Sequence, residues 1–226
     1  MCGRYVLYGP QSRLTEHFGL EECPDFAPRY NIAPTSNVLV IRQRPEVGRV
    51  WQMVRWGLVP NWEKDITVGA KLNNARAETV DTKPLFRTSF AKHRCLIPAN
   101  GCYEWKLVSE GGKVRKQPYC IRPAEEDGFF AFAGLLARWC APDGADLVTT
   151  CIITTAANAL MEPIHERMPV ILEQEAWDGW LEAQNRPVEA LKGLLVLYAA
   201  DGMVAYLVGT AVNRSWVEGE GLIVPA

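Results

Sequence analysis

The residue whose position carries the most chemistry is Cys2. Removal of Met1, which precedes a small residue, would leave a free α-amine and a thiol on one residue. The amine has a reference pKa of about 7.7–8.0, so a useful fraction is neutral near pH 7. The thiol titrates at about 8.5 and is acidified by neighbouring positive charge, which Arg4 could supply. Two such nucleophiles can attack one aldehyde in turn: the amine forms a Schiff base, and the thiolate then closes a five-membered thiazolidine ring. The second attack is intramolecular, with an effective concentration on the order of 10⁵ M or more in well-oriented cases. An incidental start residue is the plain alternative, and Cys2 alone does not decide.

Four further segments bear on that choice. In Leu72-Asn73-Asn74-Ala75-Arg76-Ala77-Glu78, the Asn74 amide offers a donor to a developing oxyanion, and Arg76 offers a bidentate grip on phosphate. Gly101-Cys102-Tyr103-Glu104-Trp105-Lys106 reads as a strand, with Glu104 on the face opposite Tyr103 and Trp105. A carboxyl aimed into a partly apolar cleft has a raised pKa and can act as general acid and base. In Pro163-Ile164-His165-Glu166-Arg167-Met168-Pro169, a histidine between prolines suits a proton shuttle near pH 7. Trp56-Gly57-Leu58-Val59-Pro60-Asn61-Trp62 reads as a turn that could present a ring for base stacking. Each also has a structural reading. Asn74 could cap a helical turn, Glu104 could pair with Lys106, His165 could be a satisfied structural residue, and Trp56, Trp62 and Trp105 could pack in the core. Spacing alone does not bring the segments together.

These residues need elements to position them. Strand-like runs rich in β-branched and aromatic residues fall at Val38–Arg42, Val50–Trp56, Gly101–Lys106, Pro118–Arg122, Phe129–Leu136, Leu147–Thr154 and Val204–Val208. Helical readings are fewer: Ser12–Phe18, Lys83–Ala91 with Pro84 near its start, Glu173–Ala183 and Pro187–Leu194. Strands outnumber helices and do not alternate with them. That pattern predicts an α+β domain over residues 1–226 with a barrel-like mixed sheet and flanking helices.

The 226 residues can bury a sizeable core. No run approaches the roughly 18 apolar residues of a membrane span, and the first residues lack a signal-peptide layout. A soluble cytoplasmic protein is expected, without membrane contact. Seven cysteines, an odd number with no Cys-x-x-Cys pair, and three histidines advertise neither a disulfide framework nor a metal site. No metal or cofactor is expected. The net charge is −2, yet its distribution is uneven. Residues 1–122 hold 19 Lys/Arg against 11 Asp/Glu, whereas residues 123–226 hold 5 against 15. The basic excess could form one positive face, or simply a solvated surface.

Taken together, Met1-Cys2-Gly3-Arg4, Arg29-Tyr30-Asn31-Ile32-Ala33-Pro34, Trp56 to Pro60, Asn74 to Glu78, Glu104-Trp105-Lys106 and Ile164 to Pro169 resemble the SOS-response-associated-peptidase family. The six motifs come in the family's order over residues 2 to about 170; the last fifty or so residues carry none. The resemblance implies a β-rich, barrel-like core and a positive groove for single-stranded DNA containing abasic sites. It implies that Cys2 is the crosslinking nucleophile and that Asn74, Glu104 and His165 complete the active site. Glu104 would handle protons during Schiff-base formation, His165 would assist opening of the abasic sugar, and Asn74 would position the Cys2 terminus or the oxyanion. Arg4, Arg76 and Arg167 look like phosphate-binding positions, with Pro34 and Trp62 lining the groove and Thr154 on a strand approaching the DNA. Glu63 follows Trp62 where the family's turn can carry a second aromatic. The family label also fits self-processing, with Cys2 attacking the peptide bond that precedes it. These implications describe a nucleoid-associated protein of the DNA-damage response, with peptidase and lyase-type chemistry; the sequence itself is silent on oligomeric state, for which a monomer is the default.

Two other readings stay open. An amidohydrolase with an amino-terminal cysteine, such as a glutamine amidotransferase, also begins Met-Cys-Gly, although an apolar residue rather than Arg4 would be expected next. A non-catalytic binder of single-stranded nucleic acid would use the basic part without the thiol.

Overall fold

The computed structural model describes residues 2–182 and 186–226, so Met1, and Ala183 at the end of one expected helix, lie outside the described residues. Among the described residues twelve strands are present: β1 Tyr5–Leu7, β2 Arg29–Ile32, β3 Asn37–Arg44, β4 Gly48–Trp56, β5 Asn74–Arg76, β6 Arg94–Ala99, β7 Gly101–Glu110, β8 Lys113–Pro123, β9 Phe130–Cys140, β10 Asp146–Ala156, β11 Arg167–Pro169 and β12 Met203–Leu207. The helices are α1 Gln11–Phe18, α2 Arg87–Lys92, α3 Trp177–Leu181 and α4 Val188–Lys192.

The seven-stranded sheet runs β11-β10-β4-β3-β6-β9, with β5 added to β10. Because β9 also pairs with β10, strands β4, β3, β6, β9 and β10 close into a five-strand ring. Of this sheet's strand pairs among the described residues, β10 with β4 and β10 with β5 run parallel and the others antiparallel. A second sheet, β12-β8-β7-β1-β2, is wholly antiparallel. The α+β class with a barrel-like core is therefore the observed architecture. Closure leaves the ring without an exposed edge of its own, and β10 is its hub, pairing with β4, β9, β5 and β11.

All seven strand readings coincide with strands. Of the helices, Lys83–Ala91 starts late, at Arg87, and Glu173–Ala183 is a 3-10 turn over Gln174–Ala176 followed by α3. Strand β6 had no signal, because it contains Pro98, which cannot donate to a ladder. The structure accommodates Pro98 because β6 meets β3 at one register position, Ile41↔Leu96, and otherwise pairs only with β9.

The last fifty residues have a mechanical role. Val208, Val212 and Leu222 cover the outer face of the second sheet and bury Tyr103, Cys120 and Val6 in a core of their own. Asn31 ties this segment down, donating through Nδ2 to the carbonyls of Arg214 (2.9 Å) and Val217 (3.0 Å). The Trp105 indole donates to Asn213 Oδ1 at 2.6 Å. Strand β7 is thus backed on one face while its other face looks toward the barrel.

One backbone contact fixes the turn after β4. Gly57 has φ +121°, and a Cβ there would meet the Gly69 carbonyl oxygen at 2.5 Å. The chain past Gly57 donates to Thr150 O from Gly57 (2.8 Å) and to Leu72 O from Leu58 (3.0 Å), which sets the entry to β5. Gly57→Ala is expected to cost about 2 kcal/mol or more, from positive-φ strain plus a backbone clash, read as a lowered urea midpoint.

Candidate active site

Cys2 is fully buried. The register of β1 against β7 (Tyr5↔Cys102, Val6↔Gly101) and the bond from Tyr103 N to Arg4 O (3.0 Å) carry the chain back from Tyr5 alongside β7, toward Glu104. The Cys2 thiol sits 3.9 Å from the Arg4 carbonyl. Asn74 donates from Nδ2 to the Cys2 carbonyl at 2.8 Å, and its Oδ1 is buried without a partner among the described residues. Asn74 opens β5, whose three residues pair with Ile152–Thr154 of β10. Behind it, the buried Trp56 indole donates to Asn73 O at 2.9 Å. Trp56 is thus a core residue that holds the Asn74 backbone.

Glu104 lies on β7, backed by Tyr103 and Trp105, and is 2% exposed. Burial pushes its carboxyl up to about 7. Near neutral pH it is about half protonated, as required of a group that both gives and takes protons. Cys102, two residues before it, lies beside Cys2. Contact with the Cys2 thiol and burial hold the Cys102 thiol well above its ordinary range. This neighbour had no signal in the sequence.

His165 follows a turn closed by its own N–H to Met161 O (2.9 Å) and precedes β11. Burial lowers its pKa, opposed in part by the Arg167 backbone. In the neutral ring, Nδ1 accepts from the Arg167 N–H at 3.0 Å, which leaves the proton on Nε2. In the charged ring, Nδ1–H donates instead to Arg167 O, 3.2 Å away. One residue therefore serves both protonation states and fixes the ring orientation.

The Arg167 guanidinium reaches Glu78 through two bonds (2.6 and 3.0 Å) and the Thr154 carbonyl at 2.6 Å, with 11% of its side chain exposed. Glu78, whose carboxyl is held low by Arg167, has no role that its residue type alone would suggest; its place two beyond Arg76 in one motif was the available signal. Thr154 is buried, its hydroxyl 3.4 Å from Ala75 O, and presents its carbonyl to Arg167. Arg76 is exposed on β5 and shares a face with Asn74 by alternation. Arg4 is half-buried, donates to Gly3 O at 3.0 Å, and has its pKa lowered by burial. Pro34 is half-buried in the turn from β2 to β3, where Thr35 takes φ +73°. Trp62 is 57% exposed, unlike Trp56.

The structure thus joins Cys2 to Asn74 directly, runs Glu104 alongside the same chain end, and holds His165 and Arg167 in one bonded unit at the start of β11, tied to the hub strand β10 through Thr154. Among the described residues no three His, Cys, Asp or Glu side chains group to hold a metal, and no helix is long and apolar enough to cross a membrane.

A family model described as SOS response associated peptidase (SRAP) matches residues 1–215. Abasic site processing protein YoqW of Bacillus subtilis is 42% identical over 216 residues, covering 94% of this chain and 94% of that protein. Abasic site processing protein HMCES of Xenopus tropicalis is 33% identical over 220 residues, 84% of this chain and 64% of that one. A crystal structure of a Bordetella bronchiseptica protein superposes with a TM-score of 0.78 at 27% identity, covering 92% of this chain and all of that one.

Proposed function

Because this chain belongs to the SOS response associated peptidase family, we propose that it processes abasic sites in DNA by covalent capture through Cys2. The observation that carries this reading is the bond from Asn74 Nδ2 to the Cys2 carbonyl, which holds the chain end beside a carboxyl poised near neutrality.

Processing comes first. The Cys2 thiol attacks the carbonyl of the preceding residue, the Cys2 nitrogen leaves with a proton, and water hydrolyses the thioester, freeing thiol and amine on one residue. The abasic sugar then opens. The ring C–O bond breaks, and the anomeric hydroxyl gives its proton to water as the aldehyde forms. Water protonates the released ring oxygen, which the neutral His165 ring steadies with a hydrogen bond from Nε2–H. The α-amine adds to the aldehyde carbon; Glu104 gives a proton to the departing oxygen, and water leaves as the Schiff base forms. The thiolate adds to that carbon and the nitrogen recovers its electron pair, closing the thiazolidine. Overall, protein plus DNA lose one water. Asn74 Oδ1 is available to accept from the new amine while Nδ2 keeps its bond to the carbonyl.

Recognition needs no base. Arg4 and Arg76 supply phosphate contacts, Trp62 and Pro34 wall the groove, and affinity comes from charge rather than sequence. An abasic nucleotide also has no base to unstack.

Intact mass tests the proposal. Purified protein should lack Met1, and abasic single-stranded DNA should add the mass of the oligonucleotide less one water, with no ammonia released from glutamine. A mass unchanged by abasic DNA, or steady glutamine hydrolysis, would overturn it.

A further inference from the structure

The β7–β8 hairpin extends well past the sheet that anchors it. It pairs from Cys102↔Ile121 out to Glu110↔Lys113, whereas β12 meets β8 only over Tyr119–Pro123 and β1 meets β7 only at Gly101 and Cys102. Beyond Trp105, among the described residues, the strands pair only with each other. The turn at Gly111-Gly112 takes φ +58° and +76°, the conformation of a tight two-residue hairpin.

Cross-strand partners share a face, and faces alternate along each strand. One face therefore carries Trp105 with Pro118, Leu107 with Lys116, and Ser109 with Val114. At its root Trp105 turns to Asn213, and further out it exposes Leu107 (65%) and Val114 (67%). The other face carries Glu104 with Tyr119, Lys106 with Gln117, Val108 with Arg115, and at the tip the register ends on the pair Glu110↔Lys113. The face that holds the catalytic carboxyl thus continues outward as a line of cations: Lys106, Arg115 and Lys113. They step about 6.6 Å per two residues, a repeat comparable to that of phosphates along an extended single strand. Lys113 and Arg115 are exposed and Lys106 is half-buried. The chain from Tyr5 back to Cys2 runs toward this same end of β7, so the ribbon rises beside the nucleophile.

We propose that this face of the ribbon is a further stretch of the DNA track, on which Lys106, Arg115 and Lys113 bind phosphates of the single strand flanking the abasic sugar. The proposal rests on the abasic-DNA reading above and adds a subsite to it. Charge complementarity selects the occupant: a polyanion suits this face, while the opposite face offers exposed aliphatics and one lysine.

The opposite face also supplies the control. A variant with Lys106→Ala, Lys113→Ala and Arg115→Ala should bind a long single-stranded oligonucleotide at least about tenfold more weakly at low salt. Its plot of log affinity against log salt should be shallower by about 2, from about 0.7 per lost phosphate contact. Lys116→Ala should match the wild type in both. The gap between wild type and triple variant should shrink as the oligonucleotide is shortened, and circular dichroism should show all proteins folded. Equal affinity and slope for the triple variant, or an equal loss in Lys116→Ala, would overturn the subsite alone. No single-strand binding by the wild type would overturn both this subsite and the abasic-DNA reading.

Discussion

Replacing Cys2 by Ala is expected to abolish the denaturant-resistant complex with abasic single-stranded DNA, while reversible binding changes by no more than about twofold. The first part follows from ring closure. The alanine variant has no thiol, so self-processing stops and the nitrogen stays acylated; on a nitrogen freed by other means, any imine that forms stays open to hydrolysis. The advantage of a second nucleophile held on the same residue, on the order of 10⁵ M or more, disappears. The second part follows from where affinity resides. The Cys2 side chain is buried, whereas the arginines and Trp62 proposed to hold the strand remain. Denaturing gels with abasic oligonucleotide, alongside anisotropy with intact oligonucleotide, read the two effects separately. Loss of both together would point to misfolding or to a different role for Cys2.

Glu104→Gln is expected to move activity and stability in opposite directions. The carboxyl of Glu104 is raised to about 7 from an ordinary value near 4.5, chiefly by burial. The folded state therefore holds this proton more tightly than the unfolded state does. Its contribution to stability is fully present below about pH 4.5 and is lost as pH rises through about 7. The difference corresponds to about 3 kcal/mol at 1.36 kcal/mol per pH unit. Gln cannot ionise, so between pH 4 and pH 9 the variant should gain on the wild type by about that amount in urea unfolding. Crosslinking should meanwhile fall by about 100-fold or more, the scale of a lost acid–base group. The wild-type rate should peak between pH 7 and 8, where protonated Glu104 and neutral α-amine coexist, and the Glu104→Gln variant should show a flattened alkaline limb. A pH-independent stability difference would place the carboxylate in a polar setting and remove it as the proton carrier.

Much of the candidate site was legible because the chemistry proposed for it sits in short, ordered motifs. Cys2, Asn74, Glu104 and His165 each announce a residue type suited to one step, and alternation along β7 by itself puts Glu104 opposite Tyr103 and Trp105. Strands with long β-branched runs were equally plain. What the sequence could not disclose is pairing across distance. Arg167 reads as a phosphate ligand, yet its guanidinium is engaged by Glu78, 89 residues away, and that engagement steadies the backbone that orients His165. Cys102 reads as a small buried hydrophobe, and only the β1–β7 register brings it to Cys2. Arg94 carries no motif, but it is buried, donating to the carbonyls of Trp180 (2.6 Å) and Phe90 (2.7 Å) and so fastening α3 to β6. Short strands such as β1 and β2 hold too few residues for a periodic signal, and Pro98 masked β6. The final fifty residues carried no motif because their work is mechanical: they back β7 and hold Tyr103 and Trp105.

The most direct test of Cys2 as the capturing residue is peptide mapping of the crosslinked product. After nuclease and protease digestion, the sugar remnant should lie on the peptide beginning Cys2-Gly3-Arg4, with Met1 gone and both the α-nitrogen and the sulfur blocked. A remnant on a lysine or histidine, or on a peptide that still carries Met1, would contradict the mechanism.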